Sequence, residues 1–198
     1  MSRAAEGAAG AAAPRRFLAL GVPSVERRAI ATATEHLRRS DARLRATRPE
    51  GWHVTLAYLG AVDAAAAEQA VAVLRTSLEG FAPRPAPRLR VAGAGRFGDR
   101  VLLLELTDDP PGALAGFVAS LHSRLRAIGF DLPSRGFRAH LTLARARGRD
   151  RVRAADVAAV DVADVHWRPS AVGLWASAPV QQPGTYVVET EVAWPSPR

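Results

Sequence analysis

Apolar residues recur along the chain with two periods. Phe17-Leu18-Ala19-Leu20-Gly21-Val22 is a continuous run of strand length and reads as a buried strand. Ser24 offers an N-cap to a helix running to about Arg39, with Ile30, Ala33 and Leu37 on one face. Residues 52–59 alternate like a strand. Asp63 can cap the next helix, in which Val71, Leu74 and Leu78 return at helical spacing. Residues 89–91 and 101–106 read as two strands joined by a glycine-rich turn. Asp109 followed by Pro110 fits an N-cap and first helical position. The apolar stripe Leu114, Phe117, Val118, Leu121 and Leu125 follows, and Gly129 suits its stop. Residues 137–144 are strand-like again, and 171–176 with 186–192 close the chain as a pair of strands.

The order is strand, helix, strand, helix, then strand, strand, helix, strand, then strands. It predicts an α+β fold of two similar lobes rather than a doubly wound sheet. The link between lobes is short, so 15–198 reads as one compact unit. Residues 1–14 are low-complexity Ala/Gly with Glu6 inside, a poor match to a secretory signal. They read as a disordered tail on a cytoplasmic protein.

Composition narrows the chemistry. The chain has 198 residues, 48% hydrophobic, enough for a real core. It has no cysteine, which removes disulfides, thiolate metal sites and cysteine nucleophiles. Its longest apolar runs are too short to cross a bilayer, so no membrane association is expected. All 27 basic residues are arginine against 19 acids, a net charge of +8 that favours anionic partners. The excess is local: residues 124–153 hold nine arginines and two acids. This suggests an RNA-guiding surface on one lobe.

Two segments match. Trp52-His53-Val54-Thr55-Leu56-Ala57 and Ala139-His140-Leu141-Thr142-Leu143-Ala144 both read His-x-Thr-Leu-Ala, 87 residues apart. Side chains two apart on a strand share a face, so His53 pairs with Thr55 and His140 with Thr142. If the halves pack about a pseudo-twofold axis, two imidazoles and two hydroxyls surround one anionic centre. Such a site suits in-line phosphoryl chemistry. One neutral histidine takes a proton from water, and one protonated histidine gives a proton to the leaving oxygen. Threonine hydroxyls can donate to the non-bridging oxygens. These protein donors make a metal unnecessary, and no third ligand sits near either motif; no cofactor is expected.

In these motifs the chain resembles the 2H phosphoesterase superfamily, and within it the RNA 2′,3′-cyclic phosphodiesterases once called bacterial 2′-5′ RNA ligases. The resemblance runs over roughly 15–195. It includes Arg16-Phe17-Leu18-Ala19-Leu20, the stretch from Arg48 to Gly60, the stretch from Gly136 to Arg145, and Gly184-Thr185-Tyr186. It departs at Ala46, where members often carry tryptophan, and at Ala139, where many have proline. The resemblance implies a two-lobed pseudo-symmetric fold, antiparallel sheets lining a central cleft with helices outside. It implies hydrolysis of RNA terminal 2′,3′-cyclic phosphates to 2′-phosphates, with weak reverse 2′-5′ ligation. By the same analogy His53 is the proton donor, His140 the proton acceptor, and Thr55 and Thr142 hold the phosphate. Arg145 matches a family arginine for phosphate or RNA, yet strict alternation puts it opposite His140, so it reaches the cleft only if the strand bulges. The expected partners are RNA ends or small cyclic nucleotides, bound by a monomer. Two competing readings are a related 2H enzyme with another cyclic or 2′-5′ nucleotide substrate, and a non-catalytic RNA-binding module.

Other signals carry less. Gly93-Ala94-Gly95-Arg96-Phe97-Gly98 fits a dinucleotide fingerprint, but a strand follows it, so it reads as a hairpin turn. His36, His122 and His166 read as solvated surface residues. Trp167, Trp175 and Trp194 read as packing, and Tyr58 as core facing away from His53.

Overall fold

The computed structural model describes residues 13–39, 43–81, 85–178 and 185–195; all but two residues of the proposed tail lie outside these. Two antiparallel sheets carry the fold. The four-stranded sheet begins with β1 (Arg15–Gly21), followed in the chain by α1 (Ser24–Ala33), α2 (His36–Arg39) and β2 (Leu44–Ala46). After a 3-10 turn at Pro49–Gly51 come β3 (His53–Ala61), α3 (Ala64–Phe81), β4 (Arg88–Phe97) and β5 (Val101–Asp109). Next are α4 (Ala113–Ala127), β6 (His140–Ala146), α5 (Ala154–Ala158), β7 (His166–Trp167), β8 (Ala171–Ser177) and β9 (Tyr186–Ala193). Strand order is β3-β1-β8-β9 in one sheet and β2-β6-β5-β4-β7 in the other.

The predicted α+β class and two-lobed layout are present. In each half a strand, a helix and the His-x-Thr strand follow in turn, and the His-x-Thr strand pairs antiparallel with the strand before the helix: β3 with β1, β6 with β5. The lobes are not simple halves of the chain. β8 and β9 cross back and complete the first sheet through β1. One large apolar cluster underlies both sheets, including Leu18, Leu20, Leu104, Leu121 and Leu141. A second, small cluster of Phe17, Ala19 and Trp175 lies on the other face of β1, with Tyr186 packed against it. β1 is thus buried on both faces, which its unbroken apolar run required.

Several boundaries moved for local reasons. The first helix stops at Ala33 instead of running to Arg39: the chain leaves helical geometry at Thr34 (φ -109, ψ 15), whose hydroxyl also donates to the Ile30 carbonyl at 2.7 Å. The glycine-rich stretch is mostly strand: Gly93 and Gly95 lie inside β4, and only Gly98 falls in the turn. Asp109 and Pro110 do not start α4: the N-cap is Gly112, and the Asp108 carboxylate at the end of β5 accepts from the backbone N–H of Gly112 and Leu114 at 3.0 and 2.7 Å. Asp63 does cap α3, accepting from Ala66 N–H at 2.8 Å. The α4 stripe is buried throughout. The helix ends as expected at Gly129 (φ 97), whose N–H bonds Arg126 while that of Phe130 bonds Leu125. β2, α2, α5 and β7 are too short to leave a periodic signal, and β6 starts at His140 because residues 130–139 form a loop. No described helix is long and apolar enough to cross a membrane.

Candidate active site

β3 and β6 approach each other from the two sheets, and their burial patterns match over seven positions. His53 and Thr55 are half-buried with Val54 and Leu56 fully covered; His140 and Thr142 repeat this with Leu141 and Leu143. Both strands then carry a bulge at the same place. Opposite β1, Ala57 pairs Leu18 and Thr55 pairs Ala19, leaving Leu56 over; opposite β5, Ala144 pairs Leu102 and Thr142 pairs Leu103, leaving Leu143 over. A bulge shifts the alternation by one residue. Positions 57 and 144 therefore turn inward, and the exposed side chains that follow, Tyr58 and Arg145, come to the His/Thr face.

Each bulged carbonyl is held from outside its strand pair. Leu56 O accepts from His122 Nε2 at 2.8 Å, and Leu143 O accepts from Thr47 N–H at 2.7 Å. His122 is therefore no solvated surface residue. It is half-buried on α4 and braces the first motif. Tyr58, expected in the core, is 50% exposed. Both corrections follow from bulges, which a period-two pattern cannot show.

The two histidines are tethered alike. His53 Nδ1 lies 2.7 Å from Gly51 O, and His140 Nδ1 lies 2.8 Å from Arg138 O. A carbonyl only accepts, so Nδ1 carries the hydrogen in both rings and Nε2 is the nitrogen left for proton exchange. Their surroundings differ. The His53 ring sits among Phe17 (4.6 Å between centroids), Tyr186 (5.0 Å, edge-on) and Trp175 (5.4 Å). Trp175 is packed, as read, in the small cluster with Phe17 and Ala19, and it also stands against the His53 ring. Gly173 makes room for it, since a Cβ there would lie 2.5 Å from the indole nitrogen. Among the described residues, His140 meets the Phe97 ring, edge-on at 4.6 Å.

Burial is the largest effect on both imidazoles. It pushes His53 down from 6.5 to about 4, opposed by the Gly51 carbonyl and assisted by the charges of His140 and Arg145. His140 is also lowered, by burial first, against the Arg138 carbonyl, with Arg145, Arg138 and Arg135 adding to the fall. Arg145 contributes to the fall of both rings, so its charge lies within electrostatic range of each motif. The structure so brings His53, His140 and Arg145 together. Thr55 and His140 also share the wall of a cavity of about 450 Å³, with Tyr58 and His122. His53, Thr142 and Arg145 do not line that cavity.

The arginine-rich stretch divides into different uses. Arg126 donates to the carbonyls of Leu132 and Pro133, and Arg151 pairs with Asp99 at 3.4 Å. Arg135 and Arg138 line the cavity beside His140. Some of these charges are thus engaged within the fold, while others face the cavity. Among the described residues no three His, Asp or Glu side chains gather as a metal site.

Comparison with known proteins places this geometry. Residues 24–180 match the model of the 2′-5′ RNA ligase superfamily. The chain is 27% identical over 146 residues to an RNA 2′,3′-cyclic phosphodiesterase of Methanothermobacter thermautotrophicus, covering 72% of this chain and 77% of that one. In fold it is similar to TT0787 of Thermus thermophilus, with TM-score 0.71 and 21% identity over 93% of this chain and all of that one. It is equally similar to E. coli LigT complexed with 3′-AMP, with TM-score 0.71 and 22% identity over 91% and 98%.

Proposed function

The chain belongs to the 2′-5′ RNA ligase superfamily, and from that premise we propose that it hydrolyses RNA terminal 2′,3′-cyclic phosphates to 2′-phosphates. The observation that carries this reading is the pairing of two His-x-Thr strands, both imidazoles hydrogen-bonded through Nδ1, with Arg145 acting on both rings. The name and likeness of the archaeal relative support the choice of substrate.

The cyclic phosphate sits between the motifs. His140 Nε2 takes a proton from water as its oxygen attacks phosphorus. The bond from phosphorus to O3′ breaks, and His53 Nε2–H gives its proton to O3′. One water is consumed and a 2′-monoester remains; the proton returns from His140 to His53 through solvent. Thr55, Thr142 and Arg145 donate to the non-bridging oxygens, where negative charge builds. His53 is a poor proton holder in the empty site, with a pKa of about 4. The anionic substrate reverses this, since a negative phosphate beside a buried imidazole favours its charged form. With a 5′-hydroxyl in place of water, the same histidines in the same roles form a 2′-5′ linkage: His140 takes the hydroxyl proton as its oxygen attacks phosphorus, and His53 gives its proton to the departing O3′.

The test is incubation of RNA bearing a 2′,3′-cyclic phosphate in excess EDTA, with the position of the product phosphate identified. Turnover to a 2′-phosphate supports the reading; a 3′-phosphate product, or no turnover, contradicts it.

A further inference from the structure

We propose that the 450 Å³ cavity beside His140 holds the second phosphate of an RNA end, the one on the 5′ oxygen of the terminal nucleotide, through Arg135 and Arg138. The inference rests on the phosphodiesterase reading above and names the part of the substrate that this reading leaves unplaced. The cavity is far larger than a phosphate needs and falls in the size range of sites for nucleotide-sized ligands. It starts at Thr55 and His140 and reaches the loop of residues 130–139, which contributes both arginines. Among the described residues no carboxylate lines it. Phe97 and Phe137 add apolar surface suited to a nucleoside. A smaller cavity of about 230 Å³ shares Arg138 and His140 with it but adds the carboxylates of Glu105 and Asp108, which makes it the poorer site for an anion.

Arg138 is set in place for this task. It pairs with Glu105 at 2.8 Å and lies over the Phe97 ring at 5.2 Å, while its carbonyl orients His140. Arg126 braces the same loop through the Leu132 and Pro133 carbonyls. A 2′,3′-cyclic end carries its reacting phosphate and its next phosphate on the same ribose. With the first between the histidines, the second lies one nucleoside edge away, on the arginine side of His140. A guanidinium fork is well matched to phosphate oxygens. The device separates an RNA end, which has both phosphates, from a lone cyclic nucleotide, which has one.

Binding without turnover tests this on the full chain. The probes are a dinucleotide ending in a 3′-phosphate and a nucleoside 3′-monophosphate, titrated over a range of salt. The wild type should prefer the dinucleotide. Arg135→Gln should cut that preference roughly tenfold, and Arg135→Gln with Arg138→Gln should cut it further. The salt dependence of dinucleotide binding should become shallower as each cation is lost. Equal losses for both probes, an unchanged preference, or no preference in the wild type would overturn the proposal. Absence of cyclic phosphate hydrolysis alongside intact arginine-dependent preference would instead count against the reaction and leave this site standing.

Discussion

Tyr58 and Arg145 occupy the same place in the two halves of the site. Each lies three residues after a motif threonine, just past a bulged leucine, exposed on the face of its histidine. The two halves thus share a backbone device and differ in what it presents, a phenol on β3 and a guanidinium on β6. The asymmetry sets a guanidinium on β6 where β3 carries a phenol, and burial lowers the pKa of both imidazoles.

Arg145→Ala should lower kcat/KM on a cyclic phosphate by about 100-fold, the order seen when one donor to a developing oxyanion is removed. Arg145→Lys should recover part of the loss, since it restores charge but not the fork. Loss of the cation should also raise the pKa of both histidines, because Arg145 lowers both. Steady-state kinetics across pH read the two effects together; an unmoved profile would place Arg145 outside the cleft.

The pH dependence follows from burial. The free enzyme needs one charged and one neutral imidazole, and both are lowered from 6.5, His53 to about 4. The bell in kcat/KM, which reports the free enzyme, should lie on the acid side of 6.5. The bell in kcat should lie at higher pH, because bound phosphate favours charged rings. Stability has its own sign. Between about pH 6.5 and 4 an unfolded His53 holds a proton that the folded ring rejects, so stability falls as pH falls through that window. Thermal unfolding of His53→Gln should show a flatter slope there than the wild type.

Opening the aromatic wall should release His53. Tyr186 meets the ring edge-on at 5.0 Å and is itself half-buried, so Tyr186→Ala admits water. The His53 pKa should rise from about 4 toward 6.5, read by NMR titration of the ring. A value that stays near 4 would assign the shift to the neighbouring charges instead.

The two matching His-x-Thr strands, the lobed α+β plan and the α4 stripe were legible because they rest on repetition and periodicity, which a sequence displays. The other side chains on the His/Thr face were not legible from the pattern. Alternation puts Tyr58 in the core and Arg145 away from the histidine, and only the resemblance names Arg145, conditional on a bulge. Bulges at Leu56 and Leu143 bring both to that face, and a bulge leaves an ordinary run of apolar residues in the sequence. Trp175 and Tyr186 come from strands that return to the first sheet, a long-range pairing no local pattern encodes. His122 sits on a helix whose apolar stripe says nothing of a carbonyl 66 residues earlier in the chain.

That contact predicts a split between two substitutions. His122→Leu removes the donor to Leu56 O and should loosen the bulge that orients Thr55 and Tyr58, costing about 1 kcal/mol of stability and several-fold in kcat. His122→Gln, which can still place an N–H near that carbonyl, should recover both. Thermal melts with kinetics on the same preparations check it; equal effects of the two variants would deny the hydrogen bond its role.

The central claim is that His53 and His140 act as one acid–base unit across the cleft. Its most direct test is kcat/KM on RNA with a 2′,3′-cyclic phosphate end for His53→Ala, His140→Ala and the double variant, each confirmed folded. Groups that act as a unit are strongly non-additive. Each single variant should lose on the order of 1,000-fold, and the double variant little more than either. A single variant that keeps near wild-type activity, or losses that multiply in the double variant, would contradict the account.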